Sequence, residues 1–265
     1  MQLIIPARNE ELRLPATLRA LREYAMSPSE NLEPIEIIVV DNASTDRTAA
    51  VARAESSAGM PVRVVPCATP GKGAAVRAGV AASVAKVIGY LDADGATALD
   101  SIATAGQLLA HSADVAVGSR AMPGSTTTAR HTRVRTLGAF VYRSLAGRLV
   151  PDIRDTQCGF KLMDGDLARR IFADTVADGF SFDVEVLGRA RLAGARIVEF
   201  PVDWTDMPGS TFIPARDGLA AFRELAAIGS SLRAERRVPR PREFPLEPVT
   251  TLLPAPSALG HAIDQ

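Results

Sequence analysis

The stretch Ile35-Glu36-Ile37-Ile38-Val39-Val40-Asp41-Asn42-Ala43-Ser44-Thr45-Asp46 decides the fold. Residues 35–40 form a nearly unbroken apolar run, which suits a strand buried on both faces of a sheet. The run stops in a cluster of Asp, Asn, Ser and Thr, residue types that turn the chain and start a helix. Outward from it the same pattern repeats. Residues 3–5, 62–65, 87–91 and 115–117 are further strand candidates, with 197–202 strand-like near the end. Between them lie segments of helical period. Leu14, Leu18 and Leu21 recur at i, i+4 and i+7, which predicts an apolar stripe on a helix starting near Asn9. A second helix is expected after Ser44. A third is expected after Gly73, where Ala74, Ala75, Ala78, Ala81 and Ala82 allow close packing on a sheet. Short strands alternating with covering helices predict an α/β fold with a mostly parallel central sheet.

Composition narrows the rest. The 265 residues carry 30 Lys+Arg against 30 Asp+Glu, so no global charge draws the chain to nucleic acid or an anionic surface. Hydrophobic content of 47% and charged content of 23% exclude a chain disordered throughout. Two cysteines, Cys67 and Cys158, make neither a disulfide framework nor a zinc cluster, and a reducing cytoplasm is the expected compartment. The start lacks the pattern of a signal peptide, and no apolar run approaches the roughly 20 residues of a spanning helix.

Three segments divide the chain: a sheet domain over 1–213, an amphipathic helix over 214–237 and a Pro-rich, weakly ordered tail over 238–265. In the helix, Phe222, Leu225 and Leu232 alternate with charges, and its apolar face has three candidate partners: the core, a second copy in a homodimer, or a peripheral membrane contact. Residues 119–155 read as a loosely patterned loop, polar at first and then basic through Arg130, His131, Arg133 and Arg135.

In an open parallel sheet, ligands bind beyond the carboxyl ends of the strands. Pro6-Ala7-Arg8-Asn9-Glu10 follows the first strand, Asp41 to Asp46 the second, and Asp92-Ala93-Asp94-Gly95 the fourth. Carboxylates two apart at a strand end can both reach a hard divalent cation, so Asp92 and Asp94 are candidate ligands for Mg²⁺ or Mn²⁺. An isolated Asp-x-Asp is equally a turn capped by Asp.

The context of that pair resembles a known family. Pro-Ala-Arg-Asn-Glu, Val40 to Asp46, Gly71-Lys72-Gly73-Ala74-Ala75 and Leu91-Asp92-Ala93-Asp94 resemble glycosyltransferase family 2. Gly118-Ser119-Arg120, the run from Asp155 to Lys161 (Asp-Thr-Gln-Cys-Gly-Phe-Lys) and Phe182-Asp183-Val184-Glu185 resemble its polyprenyl-phosphate (dolichyl-phosphate) hexosyltransferase branch, the glucosyltransferases above all. The likeness runs in order from Met1 to about Phe212.

That resemblance implies a GT-A fold, a nucleotide-diphosphate sugar donor with UDP-glucose favoured, a divalent metal and inversion at the anomeric carbon. By the same resemblance Pro6, Ala7, Glu10, Asp41 and Lys72 hold the nucleoside, with Arg8, Asn42, Ser44 and Ala93 beside them, and Asp92 and Asp94 bind ribose and metal. Asn42, Ser44 and Asp46 are equally read as helix caps, and Lys72 as a solvated charge. Gly71-Lys72-Gly73 is no Walker loop, because Ala74 stands where Ser or Thr should follow the Lys.

Two acceptor classes remain open from sequence. A polyprenyl phosphate is already ionised and needs cations, for which Arg120 and the Arg130–Arg135 cluster suffice. The resemblance places Arg120 well and Arg133 approximately at the acceptor phosphate, with Asp155, Gln157 and Lys161 shaping that side. A soluble hydroxyl or amine acceptor instead needs a base, for which Asp183 is the candidate, with Glu185 able to shift its proton affinity. Asp183 also reads as a helix cap. The candidate catalytic residues are therefore Asp94, Arg120 and Asp183. Cys158 and Phe160 read as packing, and Trp204 either stacks on a sugar or is buried. A non-catalytic nucleotide-sugar binding protein is the alternative of another class.

Overall fold

Period-two alternation divides the central strands between two cores. The computed structural model describes residues 1–27, 34–128, 133–207, 214–236 and 250–251, with the side chains of 133–140, 214–219 and 250–251 excepted. In chain order the elements are β1 (Gln2–Ala7), α1 (Leu14–Met26), β2 (Glu36–Asn42), α2 (Thr48–Ala54), β3 (Val62–Cys67), α3 (Lys72–Ala82), β4 (Val87–Tyr90), α4 (Asp100–His111) and β5 (Val115–Ser119). They continue through β6 (Thr127–Thr128), α5 (Arg133–Leu149), β7 (Lys161–Asp164), α6 (Gly165–Asp174), α7 (Phe182–Leu192), β8 (Ile197–Pro201), β9 (Trp204–Thr205), α8 (Pro214–Arg236) and β10 (Thr250–Thr251).

The main sheet has the order β10-β8-β5-β7-β4-β1-β2-β3. Only β7 runs antiparallel to its neighbours, β4 and β5; the other pairs in this sheet are parallel. Leu3, Ile5, Ile37 and Val39 face one side, with Leu14, Leu18 and Leu21 of α1 and Ile102 of α4. Ile4, Ile38, Val40 and Tyr90 face the other, with α3, α6 and α7 and the inner faces of α5 and α8. The apolar runs are continuous because both faces are covered. The chain leaves β1 for β2 and β3, then crosses back to β4 on the other side of β1. That reversal opens a crevice at the carboxyl ends of β1 and β4, the usual ligand position in such sheets.

The loosely patterned loop over 119–155 is corrected: it contains β6 and α5. Tyr142, Leu145, Ala146 and Leu149 of α5 pack on the core at helical spacing, a signal diluted in sequence by the surrounding Arg and Gly. β7 went unread because it opens with Lys161, which is fully buried. The apolar face of α8 covers the core through Leu225, Ile228 and Leu232. Of residues 238–265, only Thr250 and Thr251 are described, as an edge strand on β8; the rest of the expected tail lies outside the described residues.

α7 is buried on every face, and it carries Glu185 and Arg189 inside. The Glu185 carboxylate accepts the backbone N–H groups of Val176 and Ala177 at 3.1 and 2.8 Å, and Nε and Nη2 of Arg189 at 3.0 and 2.8 Å. Arg189 reaches on to Ser231 and Glu235 of α8. Glu185 therefore clamps α7 to its preceding loop and, through Arg189, to α8. Removing Glu185 leaves the Val176 and Ala177 N–H groups unpaired and Arg189 with only Glu235 and Ser231, and each buried group left without its partner costs about 1–3 kcal/mol. Glu185→Leu is expected to lower stability by about 3 kcal/mol in urea titration, and adding Arg189→Met is expected not to restore it, because the two amides stay open and Glu235 loses Arg189. A single-variant loss below about 1 kcal/mol would show that the pair does not hold α7.

Candidate active site

The loops after β1 and β2 are stitched to each other by their own polar side chains. Asn9 (φ 56°) and Ala43 (φ 52°) take the left-handed turn, which Asn tolerates well. The Asn9 N–H donates to Ser44 Oγ at 3.1 Å, and Asn9 Oδ1 accepts the Thr45 N–H at 2.8 Å. The Glu10 N–H donates to Thr48 Oγ1 at 2.8 Å, and the Glu11 N–H to Asp46 Oδ2 at 3.1 Å. Asp46 also accepts the Thr48 N–H at the start of α2, while Asp41 accepts the Ser44 N–H at 3.3 Å. Buried Asn42 holds the next loop, donating to the Thr69 carbonyl at 2.6 Å and accepting the Gly71 N–H at 2.8 Å.

These loops enclose a cavity of about 530 Å³ at the crevice. It gathers nine residues read from sequence as donor-binding: Pro6, Ala7, Arg8, Glu10, Asn42, Lys72, Asp92, Ala93 and Asp94. Asp41 and Ser44 are not among its lining residues; they brace the turns behind it.

Lys72 is no solvated charge. Its Nζ pairs with Asp92 Oδ1 at 2.5 Å. Burial would push Lys72 down, but Asp92 and Asp183 outweigh it and raise its proton affinity. Burial likewise pushes Asp92 up, and Lys72, helped by Lys161 and Arg120, brings it below the ordinary carboxylate range. Gly71 (φ +133°) leads into α3 where a Cβ would stand 2.1 Å from the Asp178 carbonyl oxygen. The Gly73 and Ala74 N–H groups donate to the carbonyls of Gly179 and Asp178, both at 3.2 Å. Those donors are consumed by protein, so the reading that this is no phosphate-cradling Walker loop holds.

Asp94 differs from Asp92. Burial and the charge of Asp92 raise its pKa, its Oδ1 accepts the Ala96 N–H at 3.1 Å, and among the described residues no cationic side chain pairs with it. Burial also raises Glu10, against its ion pair with Arg13. No group of three or more His, Cys, Asp or Glu suited to a metal occurs among the described residues. A pair of carboxylates, one lacking a cation, nevertheless fits an ion such as Mg²⁺ or Mn²⁺ that takes its other ligands from water and phosphate.

Behind Asp92 lies a second buried pair. Lys161 Nζ donates to Asp183 Oδ1 at 2.6 Å and to the carbonyls of Thr156 and Cys158 at 3.1 and 2.8 Å, and the Tyr90 hydroxyl donates to the same Asp183 oxygen at 2.7 Å. Lys161 is fully buried, so it shapes the 156–158 turn from within. Asp183 lies inside the first turn of α7, with Ser181 as the N-cap. Glu185 does not face it, which corrects the expectation that Glu185 tunes Asp183. At Gly159 a Cβ would come within 1.9 Å of Asp92 Oδ2, so this turn backs directly onto the aspartate.

Arg120 grips Asp155 with a two-pronged fork, Nε to Oδ2 at 2.7 Å and Nη2 to Oδ1 at 2.9 Å, and lies 5.3 Å from the Trp204 ring centre. Its Nη1 has no partner among the described residues. Burial raises Asp155, but Arg120 outweighs it and holds it low. Trp204 is half-buried against Arg120 rather than lost in the core. The Gln157 Nε2 is buried without a partner among the described residues. The side chain of Arg133, with Arg130, His131 and Arg135, lies outside the description. Burial lifts the Cys158 thiol to about 11, consistent with packing. Sequence reasoning missed Arg13, Gly159, Gly179, Phe180 and Glu224, of which only Gly159 sits within a quoted motif.

Comparison with known proteins decides the family. The profile described as Glycosyl transferase family 2 matches residues 2–172. The chain belongs to that family. This glycosyltransferase is 33% identical over 241 residues to the human dolichyl-phosphate beta-glucosyltransferase, covering 86% of this chain and 74% of the relative. It is 34% identical, with the same coverage, to the Drosophila melanogaster enzyme of that name. Among solved structures it resembles a Mycobacterium tuberculosis glucosyl-3-phosphoglycerate synthase bound to Mn²⁺, UDP and phosphoglyceric acid. The TM-score is 0.62 at 20% identity, over 90% of this chain and 79% of that one. This likeness establishes the GT-A sheet architecture.

The raised pKa of Asp94 has a sign. Its contribution to stability is fully present below the ordinary value of 3.8 and is lost as pH rises through the higher folded value. In EDTA at pH 7, Asp94→Asn is therefore expected to raise the urea midpoint of this glycosyltransferase, and the gap should close below pH about 4. A lower midpoint at pH 7 would show that Asp94 is already satisfied within the protein.

Proposed function

We propose that this glycosyltransferase inverts a glucosyl group from UDP-glucose onto a polyprenyl phosphate, using Mg²⁺ or Mn²⁺. The observation that carries the reading is the Lys72–Asp92 pair beside Asp94, a carboxylate with no direct ion pair among the described residues, in the crevice between β1 and β4. A divalent cation on Asp92 and Asp94 would neutralise charge developing on the diphosphate leaving group. Pro6, Ala7, Arg8 and Glu10 line the side we assign to the nucleoside, and Lys72 keeps a fixed positive charge at the diphosphate.

Transfer is one displacement. An acceptor phosphate oxygen forms a bond to the anomeric carbon while the bond from that carbon to the diphosphate breaks, its electron pair leaving with UDP. A phosphate nucleophile needs no base. Asp183, with one oxygen held by both Lys161 and Tyr90, suits a fixed counter-charge better than a proton acceptor, which favours the phosphate over a hydroxyl or amine. Arg120, pinned by Asp155 with Nη1 unused among the described residues, is our candidate for the acceptor phosphate, beside Gln157. The relatives in human and Drosophila melanogaster, both dolichyl-phosphate beta-glucosyltransferases by name, support that acceptor. No helix among the described residues is long and apolar enough to cross a membrane. A polyprenyl phosphate presents its phosphate at a membrane surface, and we propose that the enzyme meets it peripherally at the inner face.

Purified protein given UDP- and GDP-sugars, Mg²⁺ or Mn²⁺, and polyprenyl phosphate in vesicles is expected to yield glucosyl-phosphoryl lipid by mass spectrometry, and none in EDTA. Product with a soluble acceptor but not the lipid would overturn the acceptor assignment. Arg120→Ala should raise the KM for lipid phosphate by about tenfold or more while leaving the UDP-glucose KM within about twofold. Equal rises in both would remove Arg120 from the acceptor side.

A further inference from the structure

α8 forms part of the cavity wall through Ala220, Ala221 and Glu224, although it lies beyond residues 2–172 matched by the family profile. Glu224 accepts the Gly179 N–H at 2.7 Å through Oε1 and the Ser181 N–H at 3.2 Å through Oε2. These donors stand at the start of α7, whose N-cap Ser181 makes no side-chain cap of its own. Ser181 Oγ instead donates to the Ala221 carbonyl at 3.1 Å. A carboxylate from α8 thus satisfies amides that α7 leaves open, at the positive end of its dipole. The packing is direct, since a Cβ on Gly179 would stand 2.4 Å from Glu224 Oε1.

The other edge of the same loop meets α3. The carbonyls of Gly179 and Asp178 accept the Gly73 and Ala74 N–H groups in the first turn of α3, one residue after Lys72. Lys72 in turn grips Asp92. Glu224, the 178–181 loop, the start of α3, Lys72 and Asp92 therefore form one contiguous line of contacts across the cavity wall. A second anchor holds the loop independently: Arg77 pairs with the Asp178 carboxylate and donates to the Thr175 carbonyl at 3.1 Å. Loss of Glu224 should loosen the wall without unfolding the domain.

We infer that Glu224 is a positioning residue for the nucleotide diphosphate, fixing through the 178–181 loop the turn that presents Lys72. This rests on the cavity being the donor pocket. Loosening such a supporting contact typically weakens binding about ten- to a hundredfold. The test is calorimetric titration of the full chain with UDP and Mn²⁺, together with hydrogen exchange on the ligand-free protein. Glu224→Ala should weaken UDP binding within that range and lose amide protection in both 178–182 and 72–76. Arg223→Ala, an exposed neighbour on α8, should bind as wild type. Glu224→Gln, whose amide oxygen can accept from Gly179 but whose NH₂ cannot accept from Ser181, should fall between, and it carries the test if the Ala variant does not fold. UDP binding unchanged in Glu224→Ala, or protection lost in 178–182 but kept in 72–76, overturns the inference while leaving the donor pocket standing. A wild-type chain that binds no UDP with Mn²⁺ or Mg²⁺ overturns the pocket assignment and the inference with it.

Discussion

The contact between Lys72 and Asp92 is the constraint around which the crevice is arranged. Both charges sit where burial penalises them, and each shifts the other toward its ionised form. Desolvating an ion pair costs several kcal/mol per ion unless geometry and further hydrogen bonds compensate. The surroundings supply those. Lys161 and Asp183 form a second pair directly behind, with two carbonyls taking the other donors of Lys161 and Tyr90 donating to the same Asp183 oxygen. Arg120 and Asp155 form a third. Alternating signs at the carboxyl edge of β4 let three cations and three anions share a low-dielectric region. Asp94 lies outside that pairing, and like Glu10 it sits where the surroundings oppose its charge.

Geometry at this density leaves little room for side chains. The absent Cβ at Gly159 is what allows the 156–159 turn to reach Asp92, and Gly71 allows the Asp178 carbonyl to sit on the start of α3. Lys161 draws the same turn inward by donating to the Thr156 and Cys158 carbonyls, so the segment shaping the proposed acceptor side also supports the proposed donor-side carboxylate. The two faces of that turn are joined by direct contacts, Gly159 against Asp92 on one side and the Lys161 bonds on the other.

The sheet was legible because its signal is redundant. The apolar runs of β1, β2, β4 and β5 and the Leu14, Leu18 and Leu21 stripe each report burial locally, whereas the run of β3 marks an edge strand with no fully buried residue, and strand-end polar clusters locate the crevice. Nine of the residues that line the cavity could be read for that reason. What failed to show was whatever depends on contacts distant in sequence. β7 begins with a lysine whose burial makes sense only once Asp183, 22 residues on, is beside it. The helix α5 was masked in the sequence by the arginines and glycines among Tyr142, Leu145, Ala146 and Leu149. Lys161 is expected from sequence to shape the acceptor side, and only its three internal acceptors reveal that it is held wholly within the protein. Glu185 looks like a neighbour of Asp183, yet the helical turn directs it to Arg189.

The same reasoning separates what the family pattern carries from what the chain adds. The charges of the crevice, Lys72, Asp92 and Asp94, lie within residues 2–172. The wall that fixes Lys72 does not, because the 178–181 loop and α8 come later in the chain and return to the start of α3 only through the fold. Carboxylates at a strand end recognise a metal and a diphosphate wherever a parallel sheet reverses direction, so that part can be common to enzymes with different acceptors. The surroundings of the Lys72–Asp92 pair are set by later elements: the 178–181 loop, held by Glu224 of α8, meets the start of α3 beside Lys72, and the 156–159 turn, held by Lys161, backs onto Asp92.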